Sequence, residues 1–148
     1  MSVHEITTSA TENEQTCDRK GRVLVIDDER AIISSLRRVL RKHTVVPALG
    51  GIHALEILAA DQKFDIVFCD LMMPEISGME VYEKVVAEYP ELAERFVFMT
   101  GGVFTARGHE FMNEFKCQVH EKPIEPKMLI RLVDEAIHGS DEQTALTG

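Results

Sequence analysis

Polar side chains in this sequence have the types and positions needed to handle a phosphoryl group. The adjacent acids Asp27 and Asp28 end one apolar run, and Asp70 ends another. Thr100 and Lys122 end two further runs. A carboxylate can act as the nucleophile in phosphoryl transfer, while a lysine and a hydroxyl can hold the oxygens of the transferred group. The pattern predicts a site with Asp70 as the nucleophile and with Lys122 and Thr100 beside it.

The three acids also predict a metal ion. Two carboxylates about 5 Å apart repel each other by roughly 3 kcal/mol at an effective dielectric constant of about 20. A bound cation relieves that repulsion, and an open site with only oxygen ligands favours Mg²⁺. Asp27, Asp28 and Asp70 are therefore candidate metal-binding residues.

Five strand–helix units are predicted to bring these residues together. Continuous apolar runs that end in a polar residue are typical of parallel strands buried on both faces. The predicted strands cover residues 23–27, 44–49, 64–70, 95–100 and 117–122. Apolar residues at helical spacing follow each of them, with Asp28 as the predicted N-cap of the first helix and Gly139 as the end of the last.

Strict alternation of strands and helices predicts a single-domain α/β fold, a doubly wound (βα)5 parallel sheet with helices on both faces. Ligands bind such sheets outside the carboxyl ends of the strands, where all the candidate residues fall. The Lys122–Pro123 bond is a candidate cis peptide that would aim the lysine inward. Phe104, Phe111 and Phe115 on the fourth helix are predicted to belong to the core.

Composition indicates the bounds of the folded domain, the partners it disfavours and the compartment that suits it. The 148 residues carry a formal net charge of −9, which disfavours nucleic acid and anionic membranes as partners. Residues 1–20 have little to bury and are predicted to be a disordered tail, residues 21–139 the domain, and residues 140–148 a short polar tail. We find no signal peptide or membrane span, and three cysteines without metal spacing suit a reduced, cytoplasmic protein.

Four short motifs resemble those of the receiver domains of two-component response regulators, the CheY-like superfamily. They are DDE at Asp27–Glu29, D-x-x-M-P from Asp70 to Pro74, T-G-G at Thr100 and K-P at Lys122. The resemblance extends over residues 22–138. It implies the flavodoxin-like strand order 2-1-3-4-5, and a phosphoryl group received from a histidine kinase or a histidine phosphotransfer protein.

The resemblance also implies individual roles. Asp28 and Asp70 would bind Mg²⁺ directly, Asp27 mainly through water, and the carbonyl of Met72 would complete the protein ligands. Phosphorylation would switch contacts with a downstream protein, and the only reactions of the domain itself would be self-catalysed transfer and autodephosphorylation. One position departs from the family: Val119 stands where receivers commonly carry the Tyr or Phe that relays the movement of the threonine.

Several alternatives stay open from the sequence. A Mg²⁺-dependent phosphatase of the haloacid dehalogenase type also uses an aspartate nucleophile, but it usually has D-x-D where this chain has D-D. An FMN-binding flavodoxin would need a Ser/Thr/Gly phosphate loop after the first strand. A receiver fold could also act as a passive scaffold. The sequence names neither the kinase, the output partner nor the oligomeric state, and it suits both a stand-alone regulator and a receiver from a hybrid kinase.

Overall fold

Five parallel strands form the centre of the computed structural model, which describes residues 19–102 and 105–147, with side chains described as far as residue 139. The strands are β1 (Arg22–Asp27), β2 (Thr44–Leu49), β3 (Ile66–Asp70), β4 (Phe96–Thr100) and β5 (Gln118–Glu121). Their order in the sheet is β2-β1-β3-β4-β5. The predicted α/β fold and its strand order are confirmed.

Helices cover both faces of this sheet. They are α1 (Arg30–Val39), α2 (Gly51–Ala60), α3 (Gly78–Glu88), α4 (Pro90–Ala93), α5 (Ala106–Phe115) and α6 (Pro126–Thr147). The four-residue α4 was not predicted. Its signal in the sequence is Pro90, which stands at the first helical position, where a missing amide hydrogen costs nothing.

The central strands bury both of their faces, as their continuous apolar runs predict. Val23 and Val25 of β1 pack in one layer with α1 and α6, while Leu24 and Ile26 pack in the layer on the other face. All four side chains are fully buried. A residue pattern of this kind leaves only the ends of the strands open to a ligand.

An aromatic cluster fills the second layer around Tyr82 of α3. Its ring lies edge-on to those of Phe96, Phe98, Phe111 and Phe115, with centroids 5.1–5.5 Å away. The predicted core role of Phe111 and Phe115 is therefore confirmed. Phe104, predicted to join them, lies outside the described residues.

Two predicted helix boundaries are wrong. Glu29, not Asp28, is the N-cap of α1, and it makes no side-chain capping hydrogen bond. The buried carboxylate of Asp27 closes this turn instead, by accepting the amide hydrogen of Glu29 at 2.9 Å. At the other end of the chain, α6 continues through Gly139 to Thr147, since one glycine inside a helix costs only about 1 kcal/mol and no proline follows it.

Two further predictions concern the ends of the chain. Residues 1–18 of the predicted tail lie outside the described part. Within the described residues, no helix combines the length and the apolar character needed to cross a bilayer.

Candidate functional site

The candidate residues meet at the carboxyl end of the sheet. Asp27, Asp70 and Thr100 are the last residues of β1, β3 and β4, which are adjacent strands, and Asp28 follows β1 directly. Lys122 follows β5, one residue after the strand ends. All five sequence-predicted side chains are therefore brought to one edge by the topology.

The three acids form one cluster. Asp27, Asp28 and Asp70 each offer a carboxylate oxygen, and these oxygens lie within 4.8 Å of one another. Asp27 and Asp70 are buried, whereas Asp28 is exposed. The cluster is thus open to solvent on one side only, as a site that exchanges a ligand needs to be.

Lys122 is the cation of the site. Its Nζ lies 3.1 Å from Oδ2 of Asp27, 3.3 Å from Oδ2 of Asp70 and 3.1 Å from Oε1 of Glu29. The lysine side chain is 11% exposed. One ammonium group with three donors therefore serves three carboxylates. The contact with Glu29 was not predicted, because the two residues are 93 positions apart and nothing local indicates it.

Main-chain amides hold the other oxygens of the two buried acids. Oδ1 of Asp27 accepts the amide hydrogen of Glu29, and Oδ1 of Asp70 accepts that of Met72 at 3.3 Å. Each buried carboxylate thus has one oxygen bound to backbone and the other bound to Lys122. This pairing fixes the orientation of both groups. The direction of the Met72 carbonyl toward a metal stays a prediction.

The loop after β3 is fixed at both ends. The amide of Leu71 donates to the carbonyl of Met99 at 2.8 Å, which extends the pairing of β3 and β4 by one residue beyond Asp70. At the other end, Ser77 and Glu80 form a reciprocal capping box at the start of α3. The loop that follows the nucleophile is therefore anchored on both sides.

Thr100 connects the site to the neighbouring loops. Its side chain is buried, and its Oγ1 accepts the amide hydrogen of Gly102 at 3.2 Å. Its carbonyl accepts the amide hydrogen of Lys122 at 2.7 Å. A movement of Thr100 would therefore change both the loop after β4 and the position of the lysine. The Lys122–Pro123 bond is cis, which confirms that prediction.

Burial dominates the electrostatics of the acids. It raises the pKa of Asp70 to about 6, the negative charge of Asp27 adds to the rise, and Lys122 opposes it. Burial also raises the pKa of Asp27, against the amide of Glu29 and the ammonium of Lys122. For Lys122, burial favours the neutral form, but the hydrogen bond to Asp27 and the charge of Asp70 outweigh it, so its pKa is raised. The acids are crowded and the lysine is held charged.

The donor set fits a hard divalent cation. Carboxylate oxygens are the preferred ligands of Mg²⁺, and two of the acids are buried with too little positive charge around them, as the raised pKa values indicate. The acidic cluster is therefore compatible with a metal ion held by Asp27, Asp28 and Asp70.

Val119 stands at the position where an aromatic residue is usual in the family that the sequence resembles. It is half-buried and packs against the layer that contains Tyr82.

Comparison with known proteins identifies the class that this fold and site define. Residues 23–134 match the model of the response regulator receiver domain family. This chain belongs to that family, and it is a receiver domain of two-component signalling.

Individual relatives agree with this assignment. Over 66 residues the chain is 47% identical to the response regulator MprA of Mycobacterium ulcerans and 44% identical to that of Mycobacterium avium. Each alignment covers 43% of this chain and 28% of the relative. The match therefore spans well under half the length of these curated relatives, and their remaining parts have no aligned counterpart here.

Solved structures share the fold. A receiver domain protein from Clostridium thermocellum has a TM-score of 0.71 at 24% identity, covering 83% of this chain and 98% of its own. A CheY-like receiver domain protein from Methanospirillum hungatei has a TM-score of 0.72 at 20% identity, covering 84% and 99% of the two chains.

Proposed function

We propose that Asp70 is the phosphoacceptor of this receiver and takes its phosphoryl group from a phosphohistidine of a kinase or a phosphotransfer protein, with Mg²⁺ as cofactor. The observation that supports this most is the position of the Asp70 carboxylate. It is buried between two other acids and Lys122, at the end of the central strand. With a pKa of about 6, it is mostly ionised at pH 7.5, as a nucleophile must be.

The transfer forms one bond and breaks one. A carboxylate oxygen of Asp70 attacks the phosphorus in line with the P–N bond of the phosphohistidine, whose electron pair returns to the imidazole nitrogen. Oδ1 is held by the amide of Met72, while Oδ2 faces Lys122. As the phosphoryl group arrives, the ammonium of Lys122 exchanges its contact with Asp70 for a phosphoryl oxygen.

Asp27, Asp28 and Asp70, completed by the Met72 carbonyl, would hold the metal. When bound, Mg²⁺ supplies positive charge that offsets the negative charge on the phosphoryl oxygens during transfer. Asp28 is the exposed acid of the three, so it lies on the side from which the ion enters. Asp27 is tied to Lys122 and to the amide of Glu29, which suits a role through water.

The hydroxyl of Thr100 is the reporter in this proposal. A phosphoryl group on Asp70 offers it a charged acceptor, and the hydroxyl that turns toward that acceptor gives up its contact with the amide of Gly102. The loop after β4 then moves and changes the surface offered to a downstream protein. With Val119 in place of an aromatic relay, the backbone link between Thr100 and Lys122 is the connection that carries this change toward β5.

The remaining proposals concern the setting of the domain. We propose that it acts in the cytoplasm through protein contacts, that it does not itself bind nucleic acid or membrane, and that it turns over no substrate beyond its own phosphorylation. The net charge of −9 supports the second of these, because a negative surface repels nucleic acid and anionic membranes. Steady hydrolysis of a small phosphate ester by the purified chain would contradict the third.

The experiment is incubation with Mg²⁺ and acetyl phosphate, followed by intact mass measurement. Wild type is compared with Asp70→Asn and with a sample in EDTA. Glu110→Gln, an exposed acid on α5, is the control for a lost carboxylate. A single phosphoryl adduct on wild type and Glu110→Gln alone would establish the acceptor and the metal requirement. No adduct under any condition would make the domain a passive scaffold.

A further inference from the structure

A cavity lies at the amino end of the sheet, opposite the acidic site. Its walls are formed by the start of β1, the turn before β3, helix α4 with its flanks, and Arg95 directly before β4. Its volume of about 680 Å³ is within the range of about 300–1,000 Å³ that is usual for small-molecule sites. Asp65 in its wall is one strand length, about 16 Å, from Asp70, so a ligand bound here is remote from the phosphoacceptor.

Most charges in the walls of this cavity are balanced within the protein. Seven charged side chains line it, and four of them belong to ion pairs. The pairs are Arg19–Asp65, Arg22–Asp61 and Lys84–Glu88, with N···O distances of 3.0, 2.8 and 3.1 Å. The guanidinium group of Arg22 also lies over the ring of Phe64, 4.5 Å from its centre. These groups are therefore fixed parts of the wall.

The other three charged side chains are those of Lys63, Glu91 and Arg95. None of them forms an ion pair with any residue that the structure describes. The half-buried Arg95 donates from one nitrogen to the carbonyl of Phe64 at 2.8 Å. Glu91 is four positions before Arg95, but α4 ends at Ala93, so the two side chains are not neighbours on one helix. The cavity thus presents unbalanced charges of both signs.

Apolar side chains form the rest of the walls. Phe64 and Leu92 are buried, the ring of Tyr89 is half-buried, and Pro90 is exposed. These surfaces can take up the apolar part of a ligand. Covering them contributes free energy of binding in proportion to the apolar area that is removed from water.

We propose that this cavity binds a free amino acid with a large apolar or aromatic side chain. Arg95 and Lys63 hold the carboxylate of the ligand, Glu91 holds its ammonium group, and the wall around Tyr89 covers its side chain. A simple anion would meet Glu91 as a like charge, and a simple cation would meet Arg95 in the same way. A ligand with both charges offers a partner to all three groups. The site is separate from Asp70 and does not depend on the function proposed above.

The test uses three ligands that differ by one charged group. They are L-phenylalanine, phenethylamine, which lacks the carboxylate, and 3-phenylpropionate, which lacks the ammonium group. Each is titrated at neutral pH into the full wild-type chain, and the Kd is taken from the NMR shifts of the backbone amides in residues 62–65 and 88–95. L-Phenylalanine is expected to bind with a Kd of about 1 mM, and each analogue at least about tenfold more weakly, because it leaves a charge of the cavity without a partner.

Single substitutions then assign the two ends of the ligand. Arg95→Gln and Lys63→Gln are each expected to raise the Kd of L-phenylalanine and of 3-phenylpropionate by about fivefold or more, and not to weaken phenethylamine. Glu91→Gln is expected to weaken L-phenylalanine and phenethylamine, and not 3-phenylpropionate. Arg131→Gln and Glu110→Gln remove the same charges at exposed positions outside the cavity. These two controls are expected to bind all three ligands as wild type does.

Arg95 also holds the carbonyl of Phe64, so Arg95→Gln is compared only if its NMR spectrum is that of a folded chain. The exposed Lys63 donates no such side-chain hydrogen bond to the described residues, and Lys63→Gln makes the same test without that risk.

Three results would overturn the proposal. The first is the absence of saturable shifts in the two segments. The second is an analogue that binds as tightly as L-phenylalanine, since the cavity would then recognise one charge alone. The third is unchanged L-phenylalanine binding in Lys63→Gln and Glu91→Gln, which would place the ligand elsewhere on the chain.

Discussion

Gly78 lies directly against the main chain of Asp70. A Cβ built on Gly78 would overlap the carbonyl oxygen of Asp70 and would lie 3.0 Å from Sγ of Cys69. The amide of Gly78 also donates to the carbonyl of Leu71 at 3.0 Å. The first residue of α3 therefore sets how closely that helix approaches the end of β3, and with it the position of the nucleophile.

Gly78→Ala is expected to lower the free energy of unfolding by about 2–3 kcal/mol, because the clash is with backbone that cannot rotate away. It is also expected to slow acetyl phosphate labelling, since the clash can be relieved only if α3 shifts relative to Asp70. Urea unfolding monitored by circular dichroism gives the first quantity, and intact mass against time gives the second.

Gly139→Ala is the matched control. Apart from the nearby backbone of the helix itself, no atom of the described residues lies within 4 Å of a Cβ at that position, and the residue is inside α6. Alanine in a helix interior is favoured over glycine, so this variant is expected to gain up to about 1 kcal/mol and to label normally. Equal stability of the two variants would show that the close approach of Gly78 does not constrain the fold.

Much of this site could be predicted from the sequence, for a physical reason. A parallel strand buried on both faces has to be apolar throughout, so the acid that ends it marks the point where the chain leaves the core. Asp27, Asp70 and Thr100 were located by this rule, and the strand order that the family resemblance implied then places their strands side by side. Their convergence follows from strand order alone.

The rest depends on contacts that have no local signal. Glu29 meets Lys122 only after five units have folded, and nothing in the sequence distinguishes Gly78 from any other glycine at the start of a helix. Asp28 was predicted as N-cap because acids favour that position, yet the helix begins one residue later, after a turn in which the buried Asp27 carboxylate accepts the amide hydrogen of Glu29. The end of α6 was misplaced because glycine stops helices often but not always.

Asp70→Asn is expected to stabilise the metal-free protein at pH 7.5. Burial and the charge of Asp27 raise the pKa of Asp70 from 3.8 to about 6. The folded state thus binds this proton more tightly than the unfolded chain, so the ionised carboxylate costs stability above about pH 6. That cost disappears as the pH falls toward 3.8. The free energy of unfolding that Asp70→Asn is expected to gain at pH 7.5 is on the order of 2–3 kcal/mol.

Urea unfolding in EDTA at pH 7.5 and pH 5.0 checks this. The gain of Asp70→Asn over wild type is expected to be largest at pH 7.5 and to shrink at pH 5.0. Glu110→Gln makes the same change in net charge at an exposed position and controls for it. Added Mg²⁺ is expected to stabilise wild type by about 3 kcal/mol at a concentration one hundred times the Kd, and Asp70→Asn by less. A gain that does not depend on pH would argue against the crowding of the buried acids.

Lys122→Met is expected to destabilise the metal-free protein by about 3 kcal/mol at pH 7.5, because it leaves Asp27 and Asp70 buried without their cation. The double variant Asp70→Asn/Lys122→Met is expected to recover part of that loss, since the two residues interact directly. Mg²⁺ is expected to recover part of it as well.

Lys84→Met is the control for a lost lysine, because Lys84 pairs with Glu88 at 3.1 Å on an exposed face of α3. Such a pair contributes less than about 1 kcal/mol. Thermal or urea unfolding of wild type, Asp70→Asn, Lys122→Met and the double variant measures the coupling between Asp70 and Lys122. If the two single changes simply added, the lysine would not be stabilising the acid in the folded state.

His43 is expected to make the fold lose stability in mild acid, at the opposite end of the sheet from Asp70. Its Nδ1 accepts the amide hydrogen of Gly21 at 2.9 Å, which only the neutral ring can do. Burial lowers its pKa below the ordinary value of 6.5, and the charge of Asp134 opposes that effect. The folded state resists the proton that the unfolded chain binds, so this stabilisation is present above pH 6.5 and is lost as the pH falls through the folded pKa.

Because Asp70 titrates with the opposite sign, the measurement is made on the Asp70→Asn background. In that background we expect His43→Gln to cost about 1 kcal/mol at pH 7.5 and to flatten the decline of stability between pH 6.5 and pH 5. His53→Gln is the control, because Nδ1 of His53 also accepts a main-chain amide hydrogen, that of Leu49 at 3.1 Å, but on an exposed surface where water replaces the lost contact. It is expected to leave the decline in place. A decline as steep in His43→Gln as in its parent would assign the acid sensitivity to another group.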